Sequence, residues 1–320
     1  MLYKNHIYMD QAKKKNILLV DNESDGMRVD NFLIKSLKGL PKSKIYSMIR
    51  KGEIRINSKR VKPLSRIKID DRIRIPPNLI TKSKRDIGTK AMDLNWIDKI
   101  IMHEEKGFLV INKPSGLAVH GGSGISLGLI ELLREHRKSK YETLELIHRI
   151  DKETSGIILI AKKRSSLRSI HQFFRDGLVK KTYHALLIGL TKQETFIVNQ
   201  PLKVDRANGQ RKSVIHPEGA KAKTNFKLIN SFNDASLFQI SPVTGRTHQI
   251  RAHSAYMNLP IAGDKRYNKQ PDIISKEFGL NRLFLHASSI SFPGLNKSES
   301  HYNFNAKLSD ELEDVLDKIR

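Results

Sequence analysis

Apolar residues first fall into a regular period between Gly26 and Pro76. Val29, Phe32, Leu33 and Leu37 recur at helical spacing, and Ile45, Met48 and Ile49 mark a second, shorter helix that Gly52 should end. The period then drops to two. Ile54 with Ile56, Ile67 with Ile69, and Ile73 with Ile75 alternate with charged residues, which is the pattern of half-buried strands. A small helix-helix-hairpin module is predicted over 26–76, after an N-terminal extension over 1–25. Residues 77–98 follow a proline pair and show no period, so they read as a linker.

A larger domain is predicted over 99–320. Segments 108–112, 157–162, 182–189, 223–232, 236–241 and 283–292 are rich in β-branched and aromatic residues and read as strands. Helical patterns separate them at Leu127 to Glu135, Ser165 to Arg175 and His248 to Met257. Strands and helices interleaved in this way predict an α+β domain around a mixed, largely antiparallel sheet. Leu308, Leu312, Val315, Leu316 and Ile319 form one apolar stripe, which predicts a terminal helix docked on that domain.

Charge sharpens this picture. The chain holds 58 Lys and Arg against 33 Asp and Glu, a formal charge of +25. Between Gly26 and Pro76 there are 15 basic and 4 acidic residues, so this stretch carries +11 of the excess. Lys42, Lys44, Arg50 and Lys51 flank the core face of the second helix, and Arg55, Lys59 and Arg60 follow on the hairpin. A polyanion is the partner such a surface fits, and phosphates would neutralise it. The stretch GMRVDNFLIKSLKGLPKSKIYSMIRKGEIRINSKRV resembles the small RNA-binding module of the ribosomal-protein S-four type over 26–76. That resemblance implies RNA as the partner, and the linker over 77–98, read from its mixed polar composition, is expected to order on RNA.

Other features narrow the function classes. The chain has no cysteine, so disulfides, thiolate catalysis and Cys-based zinc sites are not available, in keeping with a reducing cytosol. No apolar run reaches the roughly 18 residues of a membrane span, and Met1 to Asn16 lacks the apolar core of a signal peptide. A soluble, cytoplasmic protein is expected. The 12 histidines do not suggest a metal site: His248 and His253 are five apart, and His103-Glu104-Glu105 lacks the second helical histidine of a zinc hydrolase motif.

Two segments concentrate polar groups beside apolar runs. The first is His148-Arg149-Ile150-Asp151-Lys152-Glu153-Thr154-Ser155-Gly156, just ahead of the strand IILIAK. By itself it has the composition of a capped turn. The second is Gly245-Arg246-Thr247-His248-Gln249-Ile250-Arg251-Ala252-His253, a glycine turn ahead of a helix start. Its arginines cannot lose their charge, so one facing a buried carboxylate would hold it ionised, while phosphate contact is an equal alternative.

Together, HRIDKETSG, KKTYHALL and GRTHQIRAH are similar in order and spacing to the pseudouridine synthases of the RluA-like family, with NKPSGLAVHGG upstream and LPIAGDKRY downstream. HGGSGISLGLIELLR, at 120–134, resembles that family's large-subunit synthase C group. The resemblance implies cofactor-free, metal-free isomerisation of uridine to pseudouridine in large-subunit ribosomal RNA, with Asp151 as the catalytic carboxylate. It implies Tyr183 as the wall on which uracil stacks and a candidate base, and Arg251 as the ion-pair partner of Asp151, with Arg246 in reserve. Arg149 is placed to fill the gap left by a flipped nucleotide, and Arg246, His248 and Gln249 to hold RNA. Whether ribose attack, ring addition or glycal formation operates is left open. Two other readings are open: a non-catalytic RNA-binding assembly factor, which predicts decay at Asp151, Tyr183 or the Gly-Arg-Thr-His segment that the sequence does not show, and a synthase acting on transfer RNA.

Overall fold

In the computed structural model, residues 16–37, 40–77, 94–121, 127–137, 139–141, 143–205, 212–268, 272–295 and 301–320 are described. The chain divides into two compact units, Met1–Met92 and Asp93–Arg320.

The first unit contains β1 (Asn16–Leu19), α1 (Val29–Ser36), α2 (Lys42–Lys51), β2 (Arg55–Ile56), β3 (Lys59–Arg60) and β4 (Arg72–Ile75). Its sheet runs in the order β1-β4-β2-β3. The predicted apolar positions Val29, Phe32, Leu33, Leu37, Ile45, Met48 and Ile49 are all buried, together with Ile54, Ile67, Ile73 and Ile75. Gly52 ends α2 in the left-handed region at φ 72°, where a glycine carries no Cβ penalty. Asp30 is buried under the helices, and the Arg28 guanidinium that donates to it at 2.5 and 3.1 Å holds its carboxyl below the usual range.

Two expectations need correction here. The N-terminal extension does not run to residue 25, because β1 pairs antiparallel with β4 from Asn16↔Ile75 to Leu19↔Arg72 and so belongs to the module's sheet. No strand forms at Ile67–Ile69: Ile67 is buried but Ile69 is 44% exposed, and only the isolated bridge Arg28↔Arg66 remains of the ladder. Asp70, at φ 65°, turns the chain there before β4 starts, so a period of two spans a turn.

The second unit contains α3 (Trp96–Lys99), β5 (Ile101–Glu104), β6 (Phe108–Lys113), α4 (Leu129–His136), β7 (Glu145–Leu146), β8 (Ser155–Ala161), α5 (Arg164–Arg175), β9 (Lys180–Ile188), β10 (Thr195–Val198), β11 (Leu202–Asp205), β12 (Lys212–Ile215), β13 (Thr224–Ser231), β14 (Ala235–Pro242), α6 (Gln249–Tyr256), α7 (Ile273–Phe278), β15 (Leu285–Pro293), β16 (His301–Asn305) and α8 (Asp310–Ile319). The predicted linker therefore ends early: its residues 78–93 lie outside the described residues, but Trp96–Lys99 is helical and Ile97 is fully buried in this unit's core.

One sheet dominates, in the order β10-β13-β14-β9-β15-β8-β6-β5, with β16 joined to β15 and β7 to β8. Every pairing is antiparallel except β15 with β8, as the α+β expectation requires. Tyr183, Ala185, Phe226, Phe238 and Ile240 face one core, into which α8 inserts Leu312, Val315 and Leu316. Phe108, Ile157, Leu159, Ile170 and Phe292 form a second. Strand β8 is buried along its whole length. It therefore provides a rigid base for the polar turn that precedes it.

Gly156 shows how tightly that turn is set. Its φ is 104°, and a Cβ there would lie 2.3 Å from the Ala287 carbonyl oxygen, inside the parallel pairing of β8 with β15. Gly156→Ala should cost this unit stability in the upper part of the usual point-mutant range, about 3 kcal/mol or more. A thermal unfolding scan should show a fall of several degrees, and an unchanged midpoint would show that the strand pair gives way at little cost.

Candidate active site

The two polar segments named from the sequence meet in one pocket. Its walls include Arg149, Asp151 and Thr154 from the turn before β8, Lys181 and Tyr183 from β9, Thr244 to His248 from the loop after β14, and Arg251 from α6. The β9–β14 register explains the convergence, since Tyr183 pairs with Ile240 and brings the end of β14 beside the middle of β9.

Asp151 occupies a tight turn in which the Thr154 amide donates to its carbonyl at 3.2 Å. A loop after β6 braces this turn. Lys113, fully buried, donates from Nζ to the carbonyls of Pro114, Leu117 and Lys152 at 2.8, 2.9 and 3.1 Å, and Ser115 donates to the Glu153 carbonyl at 2.6 Å. Burial lowers the Lys113 ammonium to about 7, with Arg282 adding to the effect. On the other side His148 accepts the Leu159 amide at 3.1 Å on Nε2, which places its proton on Nδ1. Burial pushes that ring down to about 3, so it stays neutral and structural.

The Asp151 side chain is 18% exposed. Two nitrogens stand within 4 Å of its Oδ2: Arg251 Nη1 at 3.7 Å and His248 Nε2 at 3.9 Å. Burial pushes the Asp151 carboxyl above the usual carboxylate range, against the opposing pull of Arg251, with Glu153 adding to the rise. Arg251 is therefore the arginine beside Asp151. Arg246 is exposed, and its Nε donates to the Lys221 carbonyl at 3.0 Å.

The expected Arg251–Asp151 pair needs one correction. The main partner of Arg251 is Asp264, gripped through Nε at 2.8 Å and Nη2 at 2.7 Å, while Nη1 reaches Glu153 at 3.1 Å. Burial alone would lower the Arg251 value, but the Asp264 hydrogen bonds and the surrounding carboxylates raise it, so the cation is permanent. The two-pronged contact spends the fork of the guanidinium on Asp264, leaving one edge to face Asp151. Asp264 and Glu153 were missed as site residues. Each sits inside a segment that carries the family resemblance, and a buried carboxylate near an invariably charged arginine was the available signal.

Two more roles change on inspection. The Gln249 side chain is fully committed to the protein. Its Oε1 accepts from Thr244 Oγ1 at 2.6 Å and from the Arg246 amide at 3.0 Å, and its Nε2 donates to the Lys223 carbonyl at 3.0 Å and Thr224 Oγ1 at 2.9 Å. With its donors and acceptors satisfied, it shapes the Thr244–Arg246 loop and has nothing left for RNA. Tyr183, 8% exposed, lines the pocket from β9. Burial, with the Asp151 charge adding to it, pushes its hydroxyl up. A phenol held protonated is a poor proton acceptor.

Tyr267 is a further residue the sequence reading missed. Its hydroxyl accepts the Ser213 amide at 2.8 Å, donates to the Ser213 carbonyl at 3.0 Å and lies 3.2 Å from His248 Nδ1, while its ring lies 5.3 Å from the Arg251 guanidinium carbon. In the first unit, Lys42, Lys44, Arg50 and Lys51 are exposed on α2, whereas Arg55 is half-buried and donates to the Gly52 and Ser58 carbonyls, both at 3.3 Å. Among the described residues no cluster of His, Asp or Glu has the arrangement of a metal site, and no helix is long and apolar enough to cross a membrane.

Comparison with known proteins supplies the family. Residues 107–256 match the RNA pseudouridylate synthase family, and residues 27–73 match the S4 domain. Ribosomal large subunit pseudouridine synthase C of Vibrio parahaemolyticus is 44% identical over 304 residues, covering 94% of this chain and 95% of its own. The protein of the same name from Escherichia coli O157:H7 is 41% identical over 309 residues, covering 95% and 96%. Among solved structures, human RNA pseudouridylate synthase domain containing 4 aligns with a TM-score of 0.59 at 26% identity, over 71% of this chain and 95% of that one. With an Asp151 pocket on a mixed sheet and relatives above 40% identity along nearly the whole chain, this protein belongs to the RNA pseudouridylate synthase family and carries an S4 domain.

Proposed function

We propose that the protein isomerises selected uridines of large-subunit ribosomal RNA to pseudouridine in the cytoplasm, with Asp151 as the catalytic carboxylate. The observation that carries this reading is a carboxylate sheltered in a pocket between a buried tyrosine wall and a permanent cation. Isomerisation breaks the bond from ribose carbon 1′ to uracil nitrogen 1, turns the base and rejoins it through carbon 5. Asp151 addresses the ribose or the ring while the base is detached. Arg251 pulls toward the ionised form, against the burial that raises the carboxyl. Tyr183 offers a face on which the loosened uracil can turn without leaving the site.

Arg149 and Arg246, exposed on the pocket wall, are placed for the phosphates or the vacated stack around a flipped nucleotide. The S4 unit adds affinity through Lys42, Lys44, Arg50 and Lys51. Ribosomal RNA is preferred to transfer RNA because the relatives named for the large subunit span the whole chain, basic unit included.

RNA tritiated at carbon 5 of uracil tests the reading directly. Wild-type protein should release label to water from unmodified large-subunit ribosomal RNA, in chelator as in its absence, and Asp151→Ala should release none. Release from transfer RNA alone would overturn the substrate, and tight binding without release from any RNA would favour an assembly factor.

Asp151 also ties activity to stability. Because its folded-state value is raised, its charge opposes folding above that value, and the penalty disappears as pH falls to the ordinary aspartate range. Asp151→Asn should therefore unfold at an equal or higher temperature than wild type at pH 7, with the gain shrinking on acidification, while its activity is lost. The acid limb of wild-type kcat should lie above the ordinary aspartate range of about 3.9.

Replacing Lys42, Lys44 and Lys51 together by alanine should raise KM at unchanged kcat. It should also flatten the plot of log affinity against log salt by about 0.7 to 0.9 for each phosphate that is no longer neutralised. An unchanged salt slope would show that this surface does not meet RNA.

A further inference from the structure

Carbon 5 of uracil must lose a proton after it has bonded to ribose carbon 1′, while the nucleotide is still held in the pocket of Asp151. The acceptor must therefore stand close to Asp151. Within the pocket the arginines are permanent cations, and Tyr183 holds its proton. Burial lowers the Lys181 ammonium as well, but its Nζ lies 5.7 Å from the Phe174 ring centre, and among the described residues the basic partners within 4 Å of Asp151 are His248 and Arg251. His248 remains, with Nε2 3.9 Å from Asp151 Oδ2.

Its Nδ1 lies 3.2 Å from the Tyr267 hydroxyl, which also lies 3.0 Å from the Ser213 carbonyl. With Nδ1 engaged on that side, Nε2 is the nitrogen that faces the pocket. When the Tyr267 proton goes to Ser213, Nδ1 carries the ring proton and the Nε2 lone pair is open. His248 is held at φ 50°, a left-handed conformation that costs a residue bearing a Cβ about 1 kcal/mol or more. The residue is thereby turned inward ahead of α6 while Gln249 begins the helix.

We propose that His248 is the base that takes the proton from carbon 5 of the rejoined uracil and returns it toward nitrogen 1, an assignment that rests on the isomerase reading above. When carbon 5 joins carbon 1′ it becomes tetrahedral, bearing both that bond and its hydrogen, and the ring carries an imine between nitrogen 1 and carbon 6. His248 Nε2 accepts the hydrogen as a proton. The electron pair of the broken bond restores the double bond between carbons 5 and 6, and the imine pair moves onto nitrogen 1. Nitrogen 1 is protonated by the imidazolium, directly or through water, and no net proton is consumed. The imidazolium exists only in passing, facing the carboxylates of Asp151, Glu153 and Asp264 and the cations Arg251 and Arg266. Between turnovers burial lowers the ring to about 4, with the two arginines adding to the effect, so it rests neutral and ready to accept.

Single-turnover pseudouridine formation on RNA bearing hydrogen or deuterium at carbon 5 tests the assignment. Asparagine and glycine both tolerate the left-handed backbone, so His248→Asn and His248→Gly keep the helix start. At saturating RNA, His248→Asn should lose on the order of a hundredfold in single-turnover rate and become more sensitive to deuterium than wild type. Added imidazole should restore much of the rate of His248→Gly and leave Asp151→Ala inert. A 15N spectrum of wild-type protein, assigned by difference from His248→Asn, should show the neutral ring protonated on Nδ1. A wild-type rate in His248→Asn would overturn the proposal. So would a slow variant with no added deuterium sensitivity and no imidazole rescue, or a ring protonated on Nε2; each would return the proton to Asp151 itself. Failure of wild-type protein to form any pseudouridine would instead remove the isomerase reading, and this step with it.

Discussion

Placing a carboxylate inside a sheltered pocket, against the cost of burying its charge, is the constraint around which the second unit is organised. Two opposing forces act on Asp151: burial drives it toward its neutral form, and Arg251 pulls it back. The guanidinium can do this only because it does not itself move. Asp264 grips it through two parallel hydrogen bonds, Glu153 takes a third nitrogen, and the Tyr267 ring lies beneath it. The net result is a buried carboxyl whose charge opposes folding, the trade expected of a position that serves the proposed chemistry.

Much of the surrounding architecture transmits rigidity to this centre. The turn carrying Asp151 has a wholly buried strand behind it, and a fully buried lysine on one flank ties three carbonyls together. His148 spends its ring nitrogen on a backbone amide, and Gln249 spends its whole amide on the opposite loop. These residues lie in the same short motifs as the reactive ones, because a turn that must present a carboxylate also needs groups that close its own backbone hydrogen bonds.

The S4 unit works on a different principle. Its lysines are exposed and spread over one helix, which suits a delocalised, salt-sensitive attraction to phosphate rather than a fixed contact. In the proposed function affinity and chemistry would come from separate units, one by accumulated charge and the other by preorganised geometry.

Local pattern along the chain is enough to specify the periodic elements, the concentration of positive charge and the segments that carry chemistry. The buried face of α1 and α2 and the docking stripe of α8 follow from hydrophobic period alone, because one side of each element must leave water, and β8 follows from a continuous β-branched run that is buried on both faces. Period misled only where a turn interrupted it, at Ile67 and Ile69, and a short strand such as β1 had no pattern long enough to be read. Which polar residues meet is settled by the folded chain. Asp264 as the grip on Arg251, Gln249 as a loop brace and the Tyr267–His248 contact join residues from different segments or turn on the direction of a single side chain. Such pairings are fixed by strand register and by which hydrogen bonds are already taken, and neither is written at any one position of the chain.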